Sequence, residues 1–121
     1  SVAIEIVGDM KIALRPHAIK RSIENLIANA VRHAAQVRLR AERHAGDVEI
    51  VIDDDGPGIP PESREDVFKP FFRLDPSRNA ETGGVGLGMT IARDVIRGHG
   101  GDVRIEESPM GGARARIRLP I

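Results

Sequence analysis

Asn25, Asn29 and Arg32 stand four and three residues apart. In a helix, where each residue turns the chain by about 100°, they fall on one stripe. An Asn carbonyl oxygen is a hard neutral ligand suited to Mg²⁺, and an Arg guanidinium meets phosphate oxygens with a planar fork of donors. Alone, the stripe reads equally as the solvated back of a helix. A second group, Asp53-Asp54-Asp55-Gly56-Pro57-Gly58-Ile59, sets three carboxylates at the end of an apolar run and follows them with two glycines. A carboxylate there can accept from an exocyclic amine such as that of adenine, and glycines let the backbone approach a ligand closely. A tight acidic surface turn is the plain alternative. Calcium would need a later bidentate Glu at loop spacing, which is missing. The third group, Gly83-Gly84-Val85-Gly86-Leu87-Gly88, opens onto a helical pattern. Backbone N–H groups at such a start have no partner within the helix and make an anion site. No Gly-Lys-Ser/Thr follows, so it is not a P-loop. A long loop rather than a strand precedes it, so it is not a dinucleotide fingerprint. A flexible linker is the alternative here.

All three Phe residues, Phe68, Phe71 and Phe72, lie within one run of five residues, and the chain has no Trp or Tyr. They make either a satellite cluster under a loop or a latch between a loop and the glycine-bearing cleft. So few aromatic residues argue against a single-stranded nucleic-acid platform. Eighteen basic and eighteen acidic residues cancel, which leaves no electrostatic footprint for nucleic acid. With zero Cys, disulfides, thiolate zinc sites and thiol nucleophiles are excluded. The four His residues, at 17, 33, 44 and 99, read as solvated or structural. No apolar run approaches a membrane span and the start is no signal peptide, so a soluble chain is expected.

The elements that position these groups follow from changes of period. Val2 to Val7 reads as a strand, and Lys11 to Leu14 extends it into a strand or hairpin before Pro16. Between His17 and Ala35, the residues Ile19, Ile23, Leu26, Ile27, Ala30, Val31 and Ala34 recur at helical spacing. Gln36 to His44 and Val48 to Ile52 alternate as an antiparallel hairpin, and the acidic loop of residues 53 to 61 follows. A short helix is expected over 62–70 and an unusually long polar connection over 71–84. Ile91, Ala92, Val95 and Ile96 mark a helix from Met89 to Arg97, stopped at Gly98-His99-Gly100-Gly101. Asp102 to Glu106 and Ala113 to Leu119 form a last hairpin around Pro109-Met110-Gly111-Gly112. This order predicts one α+β domain over 1–121, a two-layer α/β sandwich whose mixed, mostly antiparallel sheet is covered on one face by helices.

Taken together and in this order, the motifs resemble the catalytic ATP-binding domain of sensor histidine kinases, within the gyrase, Hsp90, histidine kinase and MutL superfamily. Ile23 to Ala34 is similar to the N box, Asp54 to Ile59 to the first glycine box, Val67 to Arg73 to the F box, and Gly84 to Gly88 to the second glycine box. The lead into the N box, Ile19-Lys20-Arg21, and the compact lid resemble the osmosensing EnvZ type. The resemblance covers nearly the whole chain and implies the Bergerat ATP-binding fold, with ATP and Mg²⁺ as ligands.

Position by position, it implies Asn29 as the Mg²⁺-binding Asn, Asn25 near the phosphates, Arg32 on phosphate and His33 beside it. Asp54 would accept from the adenine amine, with Gly56, Gly58 and Ile59 shaping the pocket. Residues 72 to 84 match the lid, including Phe72, Arg73 and Arg78, and Gly84, Val85, Gly86, Leu87 and Gly88 would face the phosphates. Two departures carry meaning. ATP-hydrolysing members place a Glu four residues before the metal-binding Asn, where this chain has Asn25; an amide cannot activate water, which favours phosphoryl transfer to a partner His. Val85 stands where Thr or Ser is frequent, removing one hydroxyl. No acceptor-His motif is present. The implied whole is a longer kinase, of which this is a cytoplasmic domain next to an inner membrane. Its partners would be a dimerisation domain bearing the His and, indirectly, a response regulator; nucleic acid is not expected. A nucleotide-binding regulatory or partner-switching module, or a degenerate kinase domain, is the alternative reading. A gyrase-like ATPase is disfavoured by Asn25 and the neutral charge.

Overall fold

The computed structural model describes residues 2–7, 16–70 and 88–120. In chain order the elements are β1 (Val2–Val7), α1 (Pro16–His33), β2 (Val37–Arg43), β3 (Asp47–Asp54), two single 3-10 turns (Pro61–Ser63 and Asp66–Phe68), α2 (Gly88–Gly98), β4 (Asp102–Glu107) and β5 (Ala113–Pro120). The strands form one sheet in the order β1-β2-β3-β5-β4. β1 runs parallel to β2, and every other pair is antiparallel. The expected mixed, mostly antiparallel sheet is therefore what folds, with α1 and α2 packed on each other and against it.

Alternation assigns the two faces of the sheet. Val37, Leu39 and Ala41 of β2, Val48, Ile50 and Ile52 of β3, Val103 and Ile105 of β4, and Ile117 and Leu119 of β5 are buried and join one core. Ile19, Leu26 and Ala30 of α1 and Ala92 and Ile96 of α2 close that core from the helix side. The opposite face is ionic: Arg114 pairs with Asp53, and Arg116 with both Glu49 and Glu106. Strand alternation thus supplies an apolar face for the helices and a row of cross-strand charges behind it.

Some expectations are corrected. Val31 was expected on the apolar arc of α1, yet it is 48% exposed, because it lies one 100° step beyond Ala30 and outside the arc of Ile19, Leu26 and Ala30. Ile91 is likewise 48% exposed, and the place on the buried arc of α2 is taken by Arg93. A count of apolar residues misses a buried cation. In place of a helix over 62–70 there are two 3-10 turns, because Pro60 and Pro61 at one end and Pro70 at the other leave no room for sustained helical bonding. The proposed continuation over 11–14 lies outside the described residues.

Ile96 of α2 is fully buried in the core. Replacing it with Ala should destabilise the fold by about 2–5 kcal/mol through lost burial and the cavity left behind. Urea unfolding measures this, and a loss below about 1 kcal/mol would mean that Ile96 is not part of the core.

Candidate functional site

Asp54 is the last residue of β3, and its side chain is buried on the helix side of the sheet. A buried carboxylate needs donors, and Asp54 finds them in its own turn and in the start of β5. Its Oδ1 accepts from the Gly56 N–H at 3.0 Å and from the Ala113 N–H at 3.0 Å. Its carbonyl accepts from the Gly112 N–H at 3.1 Å. Oδ2 carries no hydrogen bond from the described residues, whereas no buried side-chain nitrogen or oxygen among them lacks a partner. Among the described residues, then, nothing seals Oδ2 from an incoming donor.

Two glycines make this arrangement possible. A Cβ on Gly112 would overlap the Asp54 carboxylate and come within 2.6 Å of the Asp54 carbonyl. A Cβ on Gly56 would come within 2.5 Å of the His33 carbonyl at the end of α1. Gly58 adopts a φ of 76°, a left-handed conformation that turns the chain away after the acidic group. Asp55 then ties this turn to the end of α1, its Oδ1 accepting from the Ala35 and Gln36 N–H groups, each at 2.9 Å. The helix bearing Asn25, Asn29 and Arg32 is thereby fixed to the turn bearing Asp54.

On α1, Asn25 and Asn29 are half-buried on successive turns, and Arg32 and His33 are exposed at its end. Glu24 is exposed. The structure brings His33 and Asp54 together through Gly56, which donates to the Asp54 carboxylate and lies against the His33 carbonyl. Ile59 packs against the core, and its carbonyl accepts from Arg64 Nε at 3.1 Å. Gly88 is exposed at the first residue of α2. Phe72, Arg73, Arg78, Gly84, Val85, Gly86 and Leu87 lie outside the described residues, as does Phe71. Phe68 belongs to the main core rather than to a satellite cluster.

A second junction sets the position of α2. The Arg93 side chain is buried, with its guanidinium 4.2 Å from the centre of the Phe68 ring. It holds Glu65 through two bonds of 2.9 and 3.2 Å and Asp102 at 3.1 Å. The Thr90 hydroxyl donates to the Phe68 carbonyl at 2.7 Å. The first turn of α2 is thus bound to the turn carrying Phe68. Partial burial works against ionisation of Asp102, but hydrogen bonds from Arg97, Arg93 and the Val103 N–H outweigh it and hold this carboxyl well below the usual carboxylate range.

Sequence reasoning missed Gly112, Ala113 and Arg93. Gly112 falls in a stretch that reads only as a hairpin turn, and Ala113 opens the strand after it. The signal was Gly111-Gly112 immediately before a strand, which marks a close backbone approach.

A model of the family described as "Histidine kinase-, DNA gyrase B-, and HSP90-like ATPase" matches residues 15–121. The sensor histidine kinase CpxA of Escherichia coli K12 is 41% identical over 107 residues, which cover 88% of this chain and 23% of that protein. The chain thus spans about a quarter of the length of such relatives. Among solved structures, the mycobacterial sensor histidine kinase MprB superposes with a TM-score of 0.82 at 31% identity, covering 98% of this chain and 81% of that one. The ATP-binding domain of PrrB from Mycobacterium tuberculosis gives 0.75 at 34% identity, covering 98% and 79%.

A group whose pKa is lowered by folding contributes stability above its unfolded value, here 3.8, and loses it as the pH falls below. The wild type should therefore lose melting temperature progressively as the pH falls below about 4. The Asp102→Asn variant should start lower at neutral pH and fall less steeply. Parallel curves for the two proteins would contradict the role assigned to the Arg93–Asp102–Arg97 cluster.

Proposed function

This chain belongs to the family of histidine kinase-, DNA gyrase B- and HSP90-like ATPases, and on that footing we propose that it is the catalytic ATP-binding domain of a two-component sensor histidine kinase. It transfers the γ-phosphoryl group of ATP to a His on a separate dimerisation domain. The observation that carries the reading is the Asp54 carboxylate, with Oδ1 committed to two backbone donors and Oδ2 open. An exocyclic amine such as adenine's is the donor it suits, and a guanine or hypoxanthine carbonyl in that place would meet an acceptor with an acceptor. Gly56, Gly58 and Ile59 form the surrounding wall, and His33 abuts it.

The half-buried stripe of Asn25 and Asn29, with Arg32 beyond, would take the triphosphate. Among the described residues no cluster of three or more His, Cys, Asp or Glu could hold a metal ion. A site with one amide oxygen fits Mg²⁺ arriving with phosphate oxygens and its own waters, and Asn29 would be its protein ligand. When bound, the ion neutralises charge on the phosphates. Arg32 would add a fork of donors, and Gly88 with Gly84–Leu87 the backbone donors before α2. Phe72, Arg73, Arg78 and Val85 enter the proposal on sequence alone.

Asn25 supports transfer over hydrolysis, since an amide cannot take a proton from water, and the neighbouring Glu24 sits on an exposed part of the helix. Binding and positioning are what this chain contributes; the nucleophile comes from outside it. The same proposal places the remainder of the kinase, with the acceptor His, at the inner membrane and a response regulator downstream. No helix among the described residues is long and apolar enough to cross a membrane.

Mixing the chain with Mg²⁺, labelled ATP and a histidine kinase dimerisation domain should yield an acid-labile, base-stable phosphate on that domain. Asn29→Asp and Asp54→Asn should each lower the rate by about a hundredfold or more. Wild-type rates in either variant would refute the site, and an acid-stable product would indicate a Ser acceptor and a partner-switching regulator instead.

A further inference from the structure

Asp53 and Asp54 are neighbours on β3 whose side chains leave opposite faces of the sheet. Asp54 faces the helices, and Asp53 is buried on the ionic face. Arg114 grips Asp53 with both arms of its fork, Nε on Oδ1 at 2.7 Å and a terminal nitrogen on Oδ2 at 3.0 Å. Asp53 and Arg114 are also the final directly opposed pair of the β3–β5 ladder, which runs from Asp47 and Pro120 to this point. Beyond that pair come the two contacts that shape the Asp54 site, the Ala113 N–H on its Oδ1 and the Gly112 N–H on its carbonyl. The Arg114 guanidinium therefore holds, from behind the sheet, the rung on which the Asp54 carboxylate is oriented.

We propose that Arg114, acting through Asp53, is a positioning residue for base selection: it keeps the start of β5 in register so that one oxygen of the Asp54 carboxylate stays tied to the backbone and the other is presented to the base. The inference rests on the reading of Asp54 as the adenine acceptor. A bidentate pair suits the task because it fixes direction as well as distance. Register matters because a slip of one residue would turn every side chain of the strand to the other face. Neighbouring pairs strengthen the clamp, since Arg116 sits on the same face of β5 and holds Glu49 and Glu106. Arg114 lies on the face of the sheet opposite the Asp54 carboxylate, so its loss should fray the last rung without removing a group from the Asp54 side.

The test compares ATP with inosine triphosphate, which carries a carbonyl in place of the exocyclic amine. Calorimetry on the 121-residue chain with Mg²⁺ gives the ratio of the two affinities. The wild type should prefer ATP, and Arg114→Gln and Asp53→Asn should each reduce that preference by about tenfold or more, because a misaligned acceptor no longer discriminates. The double variant should lose no more than either single one, as expected for two residues acting as a pair. Arg114→Lys, which keeps the charge but not the fork, should fall between wild type and Arg114→Gln. Circular dichroism identifies any variant that fails to fold, in which case Arg114→Lys and Asp53→Asn carry the comparison. Weaker ATP binding with an unchanged ratio would make the pair merely structural and overturn the inference, leaving the function intact. A wild type that binds neither nucleotide, or binds both equally, would overturn the reading of Asp54 and the inference with it.

Discussion

A carboxylate taken out of water must be met by donors, and the way Asp54 is met constrains everything around it. Its Oδ1 takes two backbone N–H groups from segments far apart in sequence, the Gly56 turn and the start of β5. Neither approach tolerates a Cβ, which requires glycine at 56 and 112. The same turn anchors the end of α1 through Asp55, so the amide stripe on that helix and the carboxylate on the strand are held as one unit. If a methyl group were added at Gly112, the end of β3 and the Gly56 turn would have to give way.

The sheet behind this site divides its labour by face. Apolar residues from four strands and two helices make the core, and charged residues on the reverse make cross-strand pairs. Pairs of this kind on neighbouring strands specify which residues stand opposite one another. A similar economy operates at α2, where one buried Arg93 ties together Glu65, Asp102 and the ring of Phe68. The two junctions fix separate parts of the site: the Asp54 junction holds α1 and β5, and the Arg93 junction holds the opening turn of α2.

Much of this was legible in the residues. The period of two in Val37 to Arg43 and in Asp102 to Glu107 gave both hairpins, and the spacing of Ile19, Leu26 and Ala30 gave the long helix, because burial on one face imposes those periods directly. The order of the amide stripe, acidic glycine turn, Phe run and second glycine turn was enough to indicate the family. What escaped has a common cause. Val31 and Ile91 were counted as core for being apolar, although position on the helix decides burial and Arg93 held the buried place. Gly112 and Arg114 owe their roles to partners some sixty positions away in sequence, and no local pattern announces a contact of that range. The Pro-flanked stretch over 61–70 has helix-forming residues but too little length to use them.

The central claim is that the Asp54 junction is where nucleotide binds. Its most direct test is a titration of the ¹⁵N-labelled chain with ATP and Mg²⁺, following the backbone amides of Gly56, Gly112 and Ala113 by NMR. All three should shift in a saturable manner with one shared dissociation constant, because Gly56 and Ala113 hold the Asp54 carboxylate proposed to receive the base and Gly112 holds the Asp54 carbonyl. Saturable binding that leaves these three amides unmoved while others shift would place the nucleotide elsewhere and contradict the account.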